Sequence, residues 1–506
     1  MPTVTAPTRK HYHLIGIGGT AMGSLAGLLR AAGHTVTGSD ASVYPPMSTQ
    51  LASLGIAYAE GYRAENLEPR PDVVVVGNAI SRGNPELEAV LDRRLEYTSA
   101  AVVLKEEFLR GRHVLAVAGT HGKTTTTSLL AWVMEAAGMN PSFLIGGVAE
   151  NFGTSFRLTD SDFFVIEADE YDTAYFDKGP KMWHYLPQTA IVNNIEFDHA
   201  DIYRDEEAYL FAFERFINLV PRSGTLVAGW DSPLLRALAP KSWAPVEGFA
   251  YAPAGEAADY SVSSSARPEV LGTSSTLSRP PLGEQPRWTA EDVDFGAERT
   301  RFRVLHEGRQ WGMVEMPLAG AFNVRNALAV IAAATAAGAQ RDGILEGLAS
   351  FRSVRRRMEV RGEARGVVVI DDFAHHPTAV RETIAAARQK YTGRPVVAVF
   401  EPRSYTAQRR EFQQPYIDSF AGARDVVLAG LFHPERYTAE SSMDPHAVID
   451  ALTAQGKHAA YIPEVDEIVR HLEQRLEGGE VVLVMSNGGF GNIHQKLLAA
   501  LGNGAG

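Results

Sequence analysis

Seven residues, Gly119-Thr120-His121-Gly122-Lys123-Thr124-Thr125, follow the apolar run HVLAVA and lead into the amphipathic stretch TTTTSLLAWVMEAAG. Strand, glycine-rich loop and helix in that order make a phosphate cradle. Backbone N–H groups of such a loop wrap phosphate oxygens, and the helix N-terminus adds positive potential. Lys123 is then placed to neutralise β- and γ-phosphates, and Thr124 to give its hydroxyl to Mg²⁺. The first glycine of the eight-residue pattern is replaced by Val117. The chain has only nine lysines, so this one is not drawn from a crowd. A loop of this kind binds the chain to a parallel α/β architecture.

The rest of the 506 residues reads the same way, as three α/β blocks. Apolar strands alternate with helical stretches in each, the pattern of parallel sheets. We expect domains over 1–113, 114–350 and 351–506. The first opens with HYHLIGIGG, and Arg9 and Lys10 before it superficially resemble the start of a signal peptide. A strand, a turn and a helix account for Leu14 to Leu29 better, because Val36 to Asp40 continues as a second strand. The second block holds the phosphate loop, the strands DFFVIEAD and TAIVNNI, and a helix over Glu206 to Leu219. Residues 252–300, rich in Ser, Pro, Gly and Ala, read as an exposed, partly disordered insertion. A hairpin around Glu307–Gly308 and a helix over Asn323 to Ala337 follow it. The third block alternates GVVVIDDF, PVVAVFEP, DVVLAGL and VVLVMSN with helices.

Composition narrows the chemistry. There is no cysteine, which removes disulfides, thiolate metal sites and a cysteine nucleophile. A net charge of −12 argues against a nucleic-acid-coating protein. No uncharged apolar run approaches the roughly 20 residues of a membrane span. These features fit a cytoplasmic enzyme.

Further motifs sit where strands end, which is where ligands bind in parallel sheets. Glu167, Asp169, Glu170 and Asp172 close the strand FFVIEAD, and Glu167, then Glu170, is the expected metal carboxylate. Asn193-Asn194-Ile195-Glu196-Phe197-Asp198-His199 ends the next, with His199 able to serve a second Mg²⁺ or a phosphate. Gly16-Ile17-Gly18-Gly19-Thr20-Ala21, with Asp40 at the end of the second strand, resembles a Rossmann-type nucleotide turn. Taken alone it suggests a dehydrogenase, but that reading explains nothing after residue 113. Arg355-Arg356-Arg357 precede Asp371-Asp372-Phe373-Ala374-His375-His376-Pro377. The His pair suits zinc, yet no third ligand is spaced for it. Two nucleotide-type loops, a metal carboxylate and a third α/β unit suggest ligation through an acyl phosphate.

GTHGKTTT, IEADEYD, NNIEFDHAD, FNVRNALA and DDFAHHP occur in an order that resembles the Mur ligases, which build the peptide of peptidoglycan. The resemblance covers nearly the whole chain outside 252–300. It implies a Rossmann-like N-terminal domain, a central P-loop ATPase domain and a Rossmann-like C-terminal domain. DDFAHHP and the N-terminal turn resemble the branch that uses UDP-N-acetylmuramate itself. SDASVYPPMSTQL, EADEYDTAYFDK, FEPRSYT and VMSNGGFGNIHQKLL resemble the ligase that adds the tripeptide L-Ala-γ-D-Glu-meso-diaminopimelate. The enzyme adding L-alanine would carry serine where Tyr171 stands. It and a non-ligating nucleotide-sugar sensor are the alternatives.

The resemblance also implies roles. ATP and Mg²⁺ are the expected cofactors. Gly119, Thr120, His121, Gly122, Lys123, Thr124 and Thr125 hold ATP, together with Asn323, Asn326, Arg357 and Asp372. Thr124, Glu167 and His199 hold metal, and Lys123, Glu167 and His199 serve catalysis. Gly16, Gly18, Gly19, Asp40, Asn78 and Ala79 fall where the UDP-sugar should lie. Arg403, Ser404, Asn487, Gly488 and Gly489 fall where the incoming peptide is read, and His376 is placed with the substrates. His199, His375 and His376 are the candidate bases. Some relatives use a carbamoylated lysine after the histidine motif. Here no lysine lies between Lys181 and Lys241, and Glu214 stands near that place. Neither nucleic acid nor membrane is an expected partner, and the chain is expected as a monomer or weak homodimer.

Overall fold

The structure is a computed structural model that describes residues 9–44, 47–199, 202–253, 279, 282–438 and 440–503. Three sheets each carry one block of the chain. The first has five parallel strands: His11–Ile15, Thr35–Asp40, Ala57–Glu60, Val73–Val76 and Tyr97–Ser99. They lie in the order third, second, first, fourth, fifth. The order reverses at the first strand, and the glycine turn follows it. The helix Thr20–Ala31 leaves that turn and packs against the second domain. Gly27 permits this approach, because a Cβ there would meet the Phe156 ring at 2.1 Å. Ser24 Oγ and Ser155 Oγ, 2.8 Å apart, join the same two surfaces.

The second sheet has ten strands. His113–Ala118 lies between Thr189–Val192 and Phe163–Glu167, parallel to both. Val114 to Ala118 are buried on both faces, as an interior strand of continuous apolar sequence should be. The phosphate loop, the Glu167–Glu170 segment and the Asn193–His199 segment therefore open from neighbouring strand ends. The helices Lys123–Ala136, Ala321–Ala336 and Arg341–Ser350 cover one face.

The insertion reading requires a correction. Residues 254–278, 280 and 281 lie outside the described residues, but Trp288–Phe295 is a strand. It pairs antiparallel with Thr300–His306, which pairs in turn with Arg309–Met316. Trp288 is buried and Ala290, Val293 and Phe295 pack against the core, but a register shift between Glu291 and Asp294 breaks the apolar alternation of WTAEDVDF. At the other boundary, Phe351 and Val354 pack into the central core.

The third sheet runs Glu359–Ala364, Val367–Asp372, Val481–Met485, Val396–Phe400, Asp425–Leu428, His458–Tyr461, parallel except for the first pair. The loops after Asp372, Met485 and Phe400 open together at one end. Among the described residues no helix is long and apolar enough to cross a membrane.

Candidate active site

Gly122 caps the helix Lys123–Ala136 at φ +81°, and Gly119 stands at φ +127°. A Cβ on Gly119 would lie 2.9 Å from the Asn193 backbone nitrogen, so the close approach of the two loops requires glycine. Asn194 Oδ1 accepts from His121 N at 2.9 Å, and Asn193 Nδ2 donates to Thr126 Oγ1 at 2.9 Å. Both asparagines were legible only as part of a motif, without a role.

Lys123 Nζ donates to Gly119 O at 2.8 Å and lies 2.8 Å from Glu170 Oε2. His199 Nε2 lies 3.0 Å from Glu170 Oε1. Burial alone would raise the Glu170 carboxyl, but Lys123 and His199 outweigh it and hold the group down to about 2. Burial opposes charge on Lys123 and His199 too, and Glu170 keeps both above their ordinary values. His199 has φ +55°, a backbone setting in which Tyr203 N and Ile202 N both bond to its carbonyl.

Glu167 behaves in the opposite way. Burial pushes its carboxyl up, although Gly146 N donates to it at 2.8 Å and Thr124 Oγ1 at 3.0 Å. A hydroxyl and an under-compensated buried carboxylate form an all-oxygen donor set that suits a hard divalent cation. Arg357, from the start of the C-terminal unit, reaches the same hydroxyl: its Nη2 lies 3.2 Å from Thr124 Oγ1. Burial lowers the Arg357 pKa, with Asp372 and Glu167 opposing that shift. Asp372 accepts from Met358 N and Ala374 N, each at 2.8 Å, which fixes the loop that carries the two histidines.

A cleft of about 630 Å³ lies between the central and C-terminal units, lined by His121, Gly122, Thr125, Asn323, Asn326, Arg357 and Asp372. That volume is within the range of small-molecule sites. Asn326 Nδ2 donates to Asn323 Oδ1 at 3.1 Å, and Asn326 Oδ1 crowds Gly122. Asp231, Arg325 and Glu382 also line the cleft; no motif marks Asp231 or Glu382, and Arg325 lies within FNVRNALA, where only the two asparagines were given a role. Thr120 Oγ1 faces away, on Tyr209 and the Glu196 carbonyl.

Gly18 N donates to Asp40 Oδ2 at 2.8 Å at the N-terminal turn, so Asp40 braces the glycine loop. Gly16 has φ +86°, and Gly19 caps the helix Thr20–Ala31. Asn78 is half-buried and Ala79 exposed, just beyond the neighbouring strand Val73–Val76. At the same end of the C-terminal sheet, Arg403 lies 3.8 Å over the Phe432 ring and against Gly488. Ser404 Oγ accepts from Ala407 N at 3.1 Å, and Arg356 Nη2 donates to the carbonyls of Ser486 and Gly488 at 2.6 and 2.7 Å. Asn487 Oδ1 is buried without a hydrogen-bond partner, and Gly489 is exposed beside it. Asp198 joins the two units by accepting from Thr406 Oγ1 at 2.6 Å. Glu214 pairs with Lys241 at 2.7 Å, which leaves it committed to a lysine and not to His199.

His375 is half-buried and His376 buried, and desolvation pushes their pKa values down to about 4 and about 3, favouring the neutral imidazole. His375 Nδ1 lies 3.0 Å from Phe373 O. The His376 ring stands 4.6 Å from that of His121.

Three family models match consecutive stretches: Mur ligase family, catalytic domain, over 11–111; Mur ligase middle domain over 117–334; and Mur ligase, glutamate ligase domain, over 356–488. The chain is 42% identical over 493 residues to the UDP-N-acetylmuramate–L-alanyl-γ-D-glutamyl-meso-2,6-diaminoheptandioate ligase of Escherichia coli, covering 97% of this chain and 98% of the relative. It is 35% identical over 500 residues to the UDP-N-acetylmuramate–L-alanine ligase of Burkholderia cenocepacia, covering 97% of each. The crystal structure of a murein peptide ligase from Psychrobacter arcticus superposes with a TM-score of 0.68 at 36% identity, covering 98% of this chain and 99% of that one. With its three successive domains matched and its full length shared with these enzymes, the chain belongs to the Mur ligase family.

Proposed function

We propose that this protein is an ATP-dependent ligase that joins L-Ala-γ-D-Glu-meso-diaminopimelate to UDP-N-acetylmuramate, a reaction that returns wall peptide to cell-wall synthesis. The observation that carries the ligase reading is the meeting of Thr124, Glu167 and Arg357 at one point, where the phosphate loop and the C-terminal unit share a nucleotide cleft. The choice of amine rests on the higher identity to the tripeptide ligase than to the L-alanine ligase.

In this reading the lactyl carboxylate of UDP-N-acetylmuramate attacks the γ-phosphorus of ATP. The bond to the β,γ-bridging oxygen breaks and ADP leaves. The amine of the tripeptide attacks the acyl carbon of the resulting acyl phosphate. The carbon–oxygen bond to phosphate breaks, and a base takes the amine proton. Lys123, released from Glu170, neutralises the transferring phosphoryl group. Thr124 and Glu167 would hold Mg²⁺, which would offset phosphate charge, and His199 is joined to the Lys123–Glu170 pair. Glu170 favours the charged form of His199, while burial favours the neutral form of His375 and His376, the form in which an imidazole accepts a proton. Asn323, Asn326 and Asp372 border the nucleoside, the Gly16–Gly19 turn and Asp40 the UDP-sugar, and Arg403, Ser404 and Asn487–Gly489 the peptide. The enzyme works chiefly by positioning and by charge stabilisation.

The test is oxygen transfer. UDP-N-acetylmuramate labelled with ¹⁸O in its lactyl carboxylate should yield labelled inorganic phosphate when ATP and tripeptide are present. Unlabelled phosphate alongside amide product would rule out the acyl phosphate.

A further inference from the structure

The strand order brings together three side chains that sequence spacing keeps apart. His121 sits in the phosphate loop, and Glu196 follows the adjacent strand Thr189–Val192. His376 caps the C-terminal helix Pro377–Lys390. One ligand atom from each lies within 4.8 Å of the others. His121 Nε2 is 3.2 Å from Glu196 Oε2, and His376 Nδ1 is 3.6 Å from the same oxygen. Tetrahedral zinc with bonds of about 2.0–2.2 Å separates its ligands by roughly 3.3–3.6 Å. Two of the three separations already fall close to that range.

A second observation points at a ligand. His376 is 6% exposed, yet neither of its ring nitrogens has a hydrogen-bond partner. A buried imidazole that makes no hydrogen bond is costly unless something else takes its lone pair. Its open nitrogen faces a carboxylate and a second imidazole, a donor set that zinc-class cations favour and Mg²⁺ does not. The site therefore differs in chemistry from the all-oxygen pair Thr124 and Glu167.

We infer that His121, Glu196 and His376 form a separate site for a borderline divalent cation of the zinc class, with two ligands from the central unit and one from the C-terminal unit. Of the sequence pair only His376 takes part, since His375 Nδ1 lies on the Phe373 carbonyl. Three protein ligands leave a fourth position open to water or an anion. An ion bound there ties the two units together across the nucleotide cleft.

The test uses the full-length protein, stripped with chelator and dialysed against Zn²⁺ with excess Mg²⁺ to occupy oxygen-rich sites. One zinc equivalent should remain bound. His376→Gln, Glu196→Gln and His121→Gln should each weaken it at least about tenfold, while Glu167→Gln leaves it in place. Co²⁺ substituted for Zn²⁺ should give the visible absorption of a four-coordinate site, lost in the same three variants. Matched circular dichroism of the metal-free variants shows that they fold, and His121 and His376 come from different units, so both losses cannot stem from one local defect. No retained zinc, binding indifferent to the three variants, or binding lost only in Glu167→Gln would overturn the inference.

Discussion

Lys123 Nζ lies 2.8 Å from Glu170 Oε2, and Glu170 is fully buried. The ammonium that should meet phosphate is thus already neutralised by a carboxylate that His199 also holds. Nucleotide must compete for it. Breaking a buried pair from one side typically costs about 3–5 kcal/mol. Lys123→Ala is therefore expected to lower the stability of the central domain by that order, read by denaturant unfolding. It should also cut turnover by about 100- to 1,000-fold, the usual loss for one charge-stabilising donor. The double variant Lys123→Met/Glu170→Gln should regain most of the stability and none of the turnover. Near-normal turnover of folded Lys123→Ala would contradict the phosphate assignment.

Arg357 reaches Thr124 across the domain boundary. A hydrogen bond to a charged group is worth about 1.5–3 kcal/mol. Arg357→Ala should lower kcat/KM for ATP by about 10- to 150-fold. Arg357→Lys should rescue little of it, because an ammonium lacks the planar fork. Steady-state kinetics at saturating UDP-sugar and amine checks both.

Gly119 stands at φ +127° against the Asn193 backbone. Gly119→Ala places a Cβ in a sparsely populated conformation, at about 1–3 kcal/mol, and against main chain that cannot move aside. ATP binding by calorimetry should be lost while the N-terminal and C-terminal domains stay folded. Unchanged affinity would show that the loop has room it does not display.

How much of this was legible in the sequence depends on what each residue's signal rests on. The phosphate loop, the strand before it and the helix after it are local, and their apolar run and glycines announce them. Glu167, His199 and Asp372 were legible because strand ends in parallel sheets collect ligands. Glu170 was ranked below Glu167 because sequence shows that both are acidic but not which one faces Lys123. The His121–Glu196–His376 cluster was hidden, since it depends on the order His113–Ala118 beside Thr189–Val192 and on how the C-terminal sheet docks. Trp288–Phe295 was taken as insertion, because the register shift between Glu291 and Asp294 interrupts its apolar alternation.

His375 is neutral in the fold, held down to about 4 by burial, whereas an unfolded chain protonates it near 6.5. Below 6.5 the unfolded state binds the extra proton, so stability is complete above that pH and is lost as pH falls toward about 4. One such group contributes a slope of up to about 1.4 kcal/mol per pH unit. Unfolding measured between pH 7 and 4, in chelator, should show His375→Gln with a shallower acid loss than the parent. An identical slope would mean that folding leaves the His375 pKa unshifted.

The most direct measurement is phosphate release from ATP with UDP-N-acetylmuramate, comparing L-Ala-γ-D-Glu-meso-diaminopimelate with free L-alanine as the amine. The account expects release to depend strongly on the tripeptide, with a UDP-N-acetylmuramyl-tripeptide found by mass. Release favouring L-alanine, or none with either amine despite binding of ATP and UDP-sugar, would contradict it.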